Sequence, residues 1–112
     1  KTALIDELLA KHPNLYCEMS ARNESMYGNH FAKQKAEKFG WIVFDDERIK
    51  PEWKTLIEKH PMRFMVGTDN YNASVDTKKV VRQIRHGLLK NLSSDTAKLV
   101  AHENAVRVMR LE

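Results

Sequence analysis

The sequence carries a single cysteine, Cys17. That excludes an internal disulfide and any zinc site built from several cysteines. No apolar run approaches the roughly 20 residues of a membrane-spanning helix. There is no His-x-His, no His-Glu-x-x-His and no glycine-rich phosphate loop. The histidines, His12, His30, His60, His86 and His102, show no ligand spacing among themselves, so they do not assemble a complete metal site. His12 and His60 each precede a proline and read as helix-end or surface residues. The amino-terminal stretch does not read as a signal peptide, because it is amphipathic and already holds Asp6 and Glu7. The formal charge of +4 is modest and spread out, without the dense Lys/Arg stripe usual in nucleic-acid binders.

What is present fits one folded unit. The chain has 112 residues, 42% hydrophobic and 30% charged, enough for a core and unlike a disordered segment. It does not begin with Met, which hints at a start inside something longer. A cytoplasmic setting is favoured, with no membrane and no nucleic acid among the expected partners.

The chain is organised around Arg63-Phe64-Met65-Val66-Gly67-Thr68-Asp69. Phe64 to Val66 is a continuous apolar run, as suits a strand buried on both faces of a parallel sheet. Ligands of parallel α/β folds bind beyond the carboxyl ends of their strands, so Asp69 is the first candidate for chemistry. Taken alone, Gly67-Thr68-Asp69-Asn70 reads more readily as a turn.

Upstream, Ala3 to Lys11 has helical spacing, with Leu4, Ile5, Leu8 and Leu9 on one stripe, and Pro13 ends it. Leu15 to Met19 alternates like a strand, followed by a polar loop. Glu18, Ser20 and Arg22 stand out there. Met26 to Gly40 is partly helical in spacing. Trp41 to Phe44 and Arg48 to Lys50 suggest a small inserted hairpin. Pro51 suits the first turn of a helix that buries Trp53, Leu56 and Ile57 and stops at His60-Pro61.

The Leu8–Pro13 stretch is echoed by Leu56–Pro61, with Leu, Lys, His and Pro repeated at one constant offset. Each copy runs into an apolar strand. Two helix, Lys-His-Pro, strand units imply parallel strands and loops opening on one face. In this register Ser20 matches Thr68 and Ala21 matches Asp69.

Beyond a polar loop containing Tyr71, a helix spans about Thr77 to Lys90, with Val80, Val81, Ile84, Leu88 and Leu89 inward. Its Lys78, Lys79, Arg82, Arg85 and Lys90 read first as a solvated outer face. Ser93 or Ser94 caps the next helix, Asp95 suits its first turn, and Ala97, Leu99, Val100 and Ala101 form its buried side. Asn104 to Leu111 continues as a final amphipathic segment.

Lys11-His12-Pro13-Asn14-Leu15-Tyr16-Cys17-Glu18-Met19-Ser20, Pro51 through Asp69, and the closing His102-Glu103-Asn104-Ala105-Val106-Arg107 together resemble the end of a metal-dependent amidohydrolase-type TIM barrel. The resemblance covers nearly the whole chain and is loosest from Asn23 to Lys50. It implies an α/β fold: the C-terminal fragment of a (β/α)8 barrel, with two parallel core strands, flanking helices and the possible inserted hairpin. Residues 1–112 would form a single partial domain, the last quarter of such a barrel, because a whole one takes about 250 residues. It implies hydrolase chemistry on amides, lactones or esters, or decarboxylation of aromatic acids, with a divalent metal, zinc before manganese. Asp69 would bind or face that metal and handle the proton of the metal-bound water. Arg22, Glu18 and Tyr71 would be pocket residues contacting a small-molecule substrate. The family's His-x-His and middle-strand histidines are not in this chain, so the remainder of the barrel or a second chain would complete the site, and a homo-oligomer is expected. The competing reading is a stand-alone small α/β protein-interaction domain without catalysis.

Overall fold

The computed structural model describes residues 1–19, 41–68 and 76–111. The Met26–Gly40 segment, only partly helical in spacing, lies outside these residues. Within them the molecule is a small mixed α/β unit, two parallel strands amid helices.

Helix α1 spans Thr2–Lys11, and α2 spans Pro51–Lys59 with its proline in the first turn, where the missing N–H costs nothing. They pack on each other. Both end the same way. The His12 N–H bonds the Leu8 carbonyl and the Leu15 N–H bonds the His12 carbonyl. In the second copy His60 bonds Leu56, and Arg63 bonds the His60 carbonyl. The Lys-His-Pro repeat is therefore a repeated chain reversal, with each proline placed just past the helix where it cannot continue the ladder.

Each reversal delivers a short strand, β1 (Cys17–Glu18) and β2 (Phe64–Met65), which pair in parallel. The pairing sets Cys17 beside Phe64 and Glu18 beside Met65. This differs by one residue from the sequence repeat, which would align Cys17 with Met65. The helices repeat at one offset and the strands pair at the next. Hydrogen-bond geometry decides the strand register: Cys17 N–H reaches the Arg63 carbonyl at 2.8 Å and Met19 N–H the Met65 carbonyl at 2.9 Å. A one-residue difference changes which side chains share a face.

Phe64 and Met65 are both buried, as expected for a strand covered on both sides, while Glu18 is exposed and Met19 buried. The core gathers Leu9, Met19, Ile42, Val43, Leu56, Ile57, Phe64, Leu88, Leu92 and Val100. Two expectations for inward faces are corrected. On α1 only Leu9 is buried; Leu4 is 60% exposed and Leu8 is also exposed, because α2 covers just one side of that stripe.

The second correction falls on α3, Thr77–Gln83, which continues through a π-helical turn, Ile84–Leu88, and a 3₁₀ turn, Leu89–Asn91. Val80, Gln83, Gly87 and Leu88 are buried, whereas Val81 is exposed. Val80, Gln83 and Gly87 keep helical i, i+3, i+7 spacing, so the buried stripe runs where Gln83 meets Asp45 of the hairpin, and Val81 falls to its side.

The hairpin is present as a single antiparallel bridge, Val43 to Ile49, closed by Phe44 N–H to the Arg48 carbonyl and Lys50 N–H to the Ile42 carbonyl. Glu47 takes the left-handed backbone (φ 69°) at its tip. The hairpin seats against Gly87.

The closing helix begins as α4, Ser94–Lys98, passes a π turn at Leu99–Glu103, and ends as α5, Asn104–Met109, against β2. Ser93 is its cap, accepting from the Thr96 N–H, with Asp95 in the first turn. No helix among the described residues is long and apolar enough to cross a membrane.

Candidate functional site

Parallel pairing puts the carboxyl ends of β1 and β2 side by side, so the chains leaving them start from one edge of the sheet. Glu18 lies at this end, exposed, in the strand beside buried Met65. Val66, Gly67 and Thr68 lead out of β2 half-buried. Asp69, Arg22 and Tyr71 lie outside the described residues, as does Ser20. Of the four site residues expected from sequence, the structure thus describes Glu18.

The described residues hold β2 in place through contacts that periodicity alone does not reveal. Asn104 is fully buried and donates from Nδ2 to the Pro61 and Phe64 carbonyls, each at 2.8 Å. Its Oδ1 accepts from Arg107 Nη1 at 3.1 Å, and Arg107 Nη2 donates to the Met62 carbonyl at 2.7 Å. One helical turn of the closing helix thereby grips three carbonyls of the segment entering and crossing β2. The signal in the sequence is a polar residue in an apolar slot, four positions after Val100, together with Arg107 one turn later.

Arg63, at the entrance to β2, grips the other unit. Its guanidinium donates to the carbonyls of Leu15 at 2.7 Å, Leu9 at 3.3 Å and His12. Two of these are carbonyls at the end of α1, which lack helical partners. Arg63 also lies over the Tyr16 ring, 5.5 Å from its centroid. The two strands are therefore tied by side chains as well as by their ladder.

Two carboxylates brace the helices. Asp6 on α1 accepts from His60 Nε2 at 2.6 Å and Lys59 Nζ at 2.7 Å. These hydrogen bonds, His60 first, hold its carboxyl below the usual range. His60 is thus a hydrogen-bond partner of α1 as well as a helix end. Glu58 on α2 accepts from the Ser93 N–H at 2.6 Å, Ser93 Oγ at 3.0 Å and Thr96 Oγ1 at 2.8 Å, a carboxylate placed at the start of α4. Burial pushes its pKa up, but these bonds and the nearby Lys54 charge together hold it below the ordinary value.

Cys17 is half-buried, and desolvation raises its thiol despite the Arg63 charge, so it is not an activated nucleophile. No group of three or more His, Cys, Asp or Glu among the described residues is arranged to hold a metal. Among the described residues the arrangement fixes β2 and the start of the chain that leaves it, Val66 to Thr68. No family model matches the chain, and neither the curated proteins nor the solved structures include a match.

Proposed function

We propose that the chain is the closing part of a metal-dependent hydrolase of amidohydrolase type, and that Asp69 is its proton-transfer residue. One observation carries this reading: β2, gripped by Asn104 and Arg107 and paired in parallel with β1, is followed in the sequence by Val66-Gly67-Thr68-Asp69. A carboxylate just past a rigid strand is well placed to act as a base, because orientation is a large share of what a catalytic group contributes. An ordinary aspartate, with pKa near ~3.9, is a weak base in water. A bound divalent ion supplies the missing drive by lowering the pKa of the attacking water to about 7.

In this reading the family's His-x-His, which the sequence lacks, would come from protein outside this chain, with Asp69 as the donor this chain supplies. Asp69 would then take a proton from water and return it to the leaving group. Glu18, Arg22 and Tyr71 would line the substrate side.

The test is turnover of amides, esters, lactones and aromatic acids by the intact protein supplied with zinc or manganese. Asp69→Asn keeps the shape and removes charge and basicity. Turnover should fall by about 10²–10⁴, with the thermal midpoint little changed. Asp76→Asn is the control. Asp76 caps α3 by accepting from the Lys79 N–H at 3.1 Å, and asparagine caps a helix equally well. Normal turnover in Asp69→Asn with metal bound would overturn the assignment.

The second reading, an interaction domain without catalysis, is favoured by one feature, the exposed Leu4 and Leu8 on α1. It predicts no turnover in any arm of the panel.

A further inference from the structure

The outer face of α3 has properties that the hydrolase reading leaves unused. From Thr77 to Ser94 the sequence contains no Asp or Glu, while Lys78, Lys79, Arg82, Arg85 and Lys90 are all cationic. Surfaces of soluble domains ordinarily mix both signs. A shallow groove of about 340 Å³ runs along this face, lined by Thr77, Lys78, Val81, Arg82, Arg85 and His86. Arg82 is 3.0 Å from Glu47 of the hairpin, an exposed pair. Lys78, Arg85 and His86 make no ion pair among the described residues. Val81, 38% exposed, is the apolar side chain of this lining among the described residues.

From this we infer that the groove is a docking surface for an acidic amphipathic helix of a partner protein. An apolar centre inside a charged rim is the anatomy of a protein interface. Lys78 and Arg85 are seven residues apart, about 10 Å along the helix axis. A partner helix with carboxylates two turns apart and a Leu or Val between them matches both charges and Val81 at once. Single-stranded nucleic acid fits less well, because among the described residues His86 is the one ring lining the groove, whereas strand-binding surfaces stack successive bases on several aromatic rings. A membrane surface fits less well, because among the described residues the groove is lined by no Trp, Phe or Leu to enter the interface. The site stands independently of the hydrolase assignment.

Fluorescence anisotropy on the intact protein tests the surface. The probes are a labelled amphipathic peptide with Glu two turns apart around a Leu, a scrambled peptide of the same composition, and a short single-stranded DNA of equal charge. The ordered peptide should bind best. Val81→Ser and Arg85→Glu should each weaken it by about tenfold, which is ~1.4 kcal/mol. Both residues are exposed, so the circular dichroism melting curve should not move; Lys78→Glu provides a second charge reversal should Arg85→Glu fold poorly. No binding, equal binding of the scrambled peptide, or indifference to Val81→Ser would overturn the proposal. Tighter binding of the DNA would assign the face to nucleic acid instead.

Discussion

Glu58 joins two helices through one side chain. Its carboxylate accepts from the Ser93 N–H and from the Ser93 and Thr96 hydroxyls at the start of α4, and hydrogen bonds to a charged group contribute about 1.5–3 kcal/mol each in favourable cases. Because the folded pKa is held below the unfolded value of about 4.3, its contribution is fully present above that pH. It is lost as pH falls through the folded value. Glu58→Gln keeps one acceptor and removes the titration. Denaturant midpoints should be lower for Glu58→Gln than for the parent at neutral pH, and the gap should close as the pH drops below about 4. A gap that widened towards acid would mean that the carboxylate is not stabilising. Asp6, whose carboxyl is lowered by His60 and Lys59, adds to the same acid limb.

At the scale of elements, the meeting of hairpin and α3 depends on one absent side chain. A Cβ on Gly87 would lie 2.2 Å from Val43 Cγ1, and Val43 is buried and β-branched with nowhere to turn. Asn91 secures the same contact by donating to the carbonyls of Glu47 and Gly87. Alanine is the better helix former by about 1 kcal/mol, so propensity alone would predict that Gly87→Ala stabilises. Overpacking should win: we expect a loss of about 1–3 kcal/mol by chemical denaturation, partly recovered in the double variant with Val43→Ala. A Gly87→Ala protein more stable than its parent would show that the hairpin yields.

This region also shows where sequence reading stops. The Lys-His-Pro repeat, Pro51, the Ser93 cap and the Phe64–Met65 run are local signals, and each one marks an element found in the structure. The exposure of Val81 and the burial of Gln83, which donates to Asp45, follow from where the hairpin packs, which no hydrophobic period announces. The one-residue strand register is likewise a property of pairing in space. Asn104 and Arg107 are visible as residues, but their grip on β2 is a long-range contact. Glu18 is the single candidate site residue whose surroundings are described. Asp69, Arg22 and Tyr71 rest on sequence pattern.

For the molecule as a whole, the balance of covered and uncovered apolar surface matters most. Leu4, Leu8, Met62, Val81, Met109 and Leu111 are large apolar side chains left exposed. Isolated exposed apolar residues are ordinary, but Leu4 and Leu8 sit one turn apart on the same helix. Among the described residues the sheet has only two strands, and a parallel sheet is normally covered on both faces and continued by further strands. A chain with this surface should seek more protein. We expect sedimentation velocity to show association that grows with concentration, and Leu4→Glu with Leu8→Glu to reduce it. Both positions are exposed, so that double variant should keep its fold by circular dichroism. Polar substitution there removes the contact without opening a cavity, unlike a change at Leu9, which is 1% exposed and would cost about 2–5 kcal/mol as Leu9→Ala. A chain that remained a cooperative monomer at high concentration, with the double variant behaving identically, would show that the outer face of α1 needs no partner.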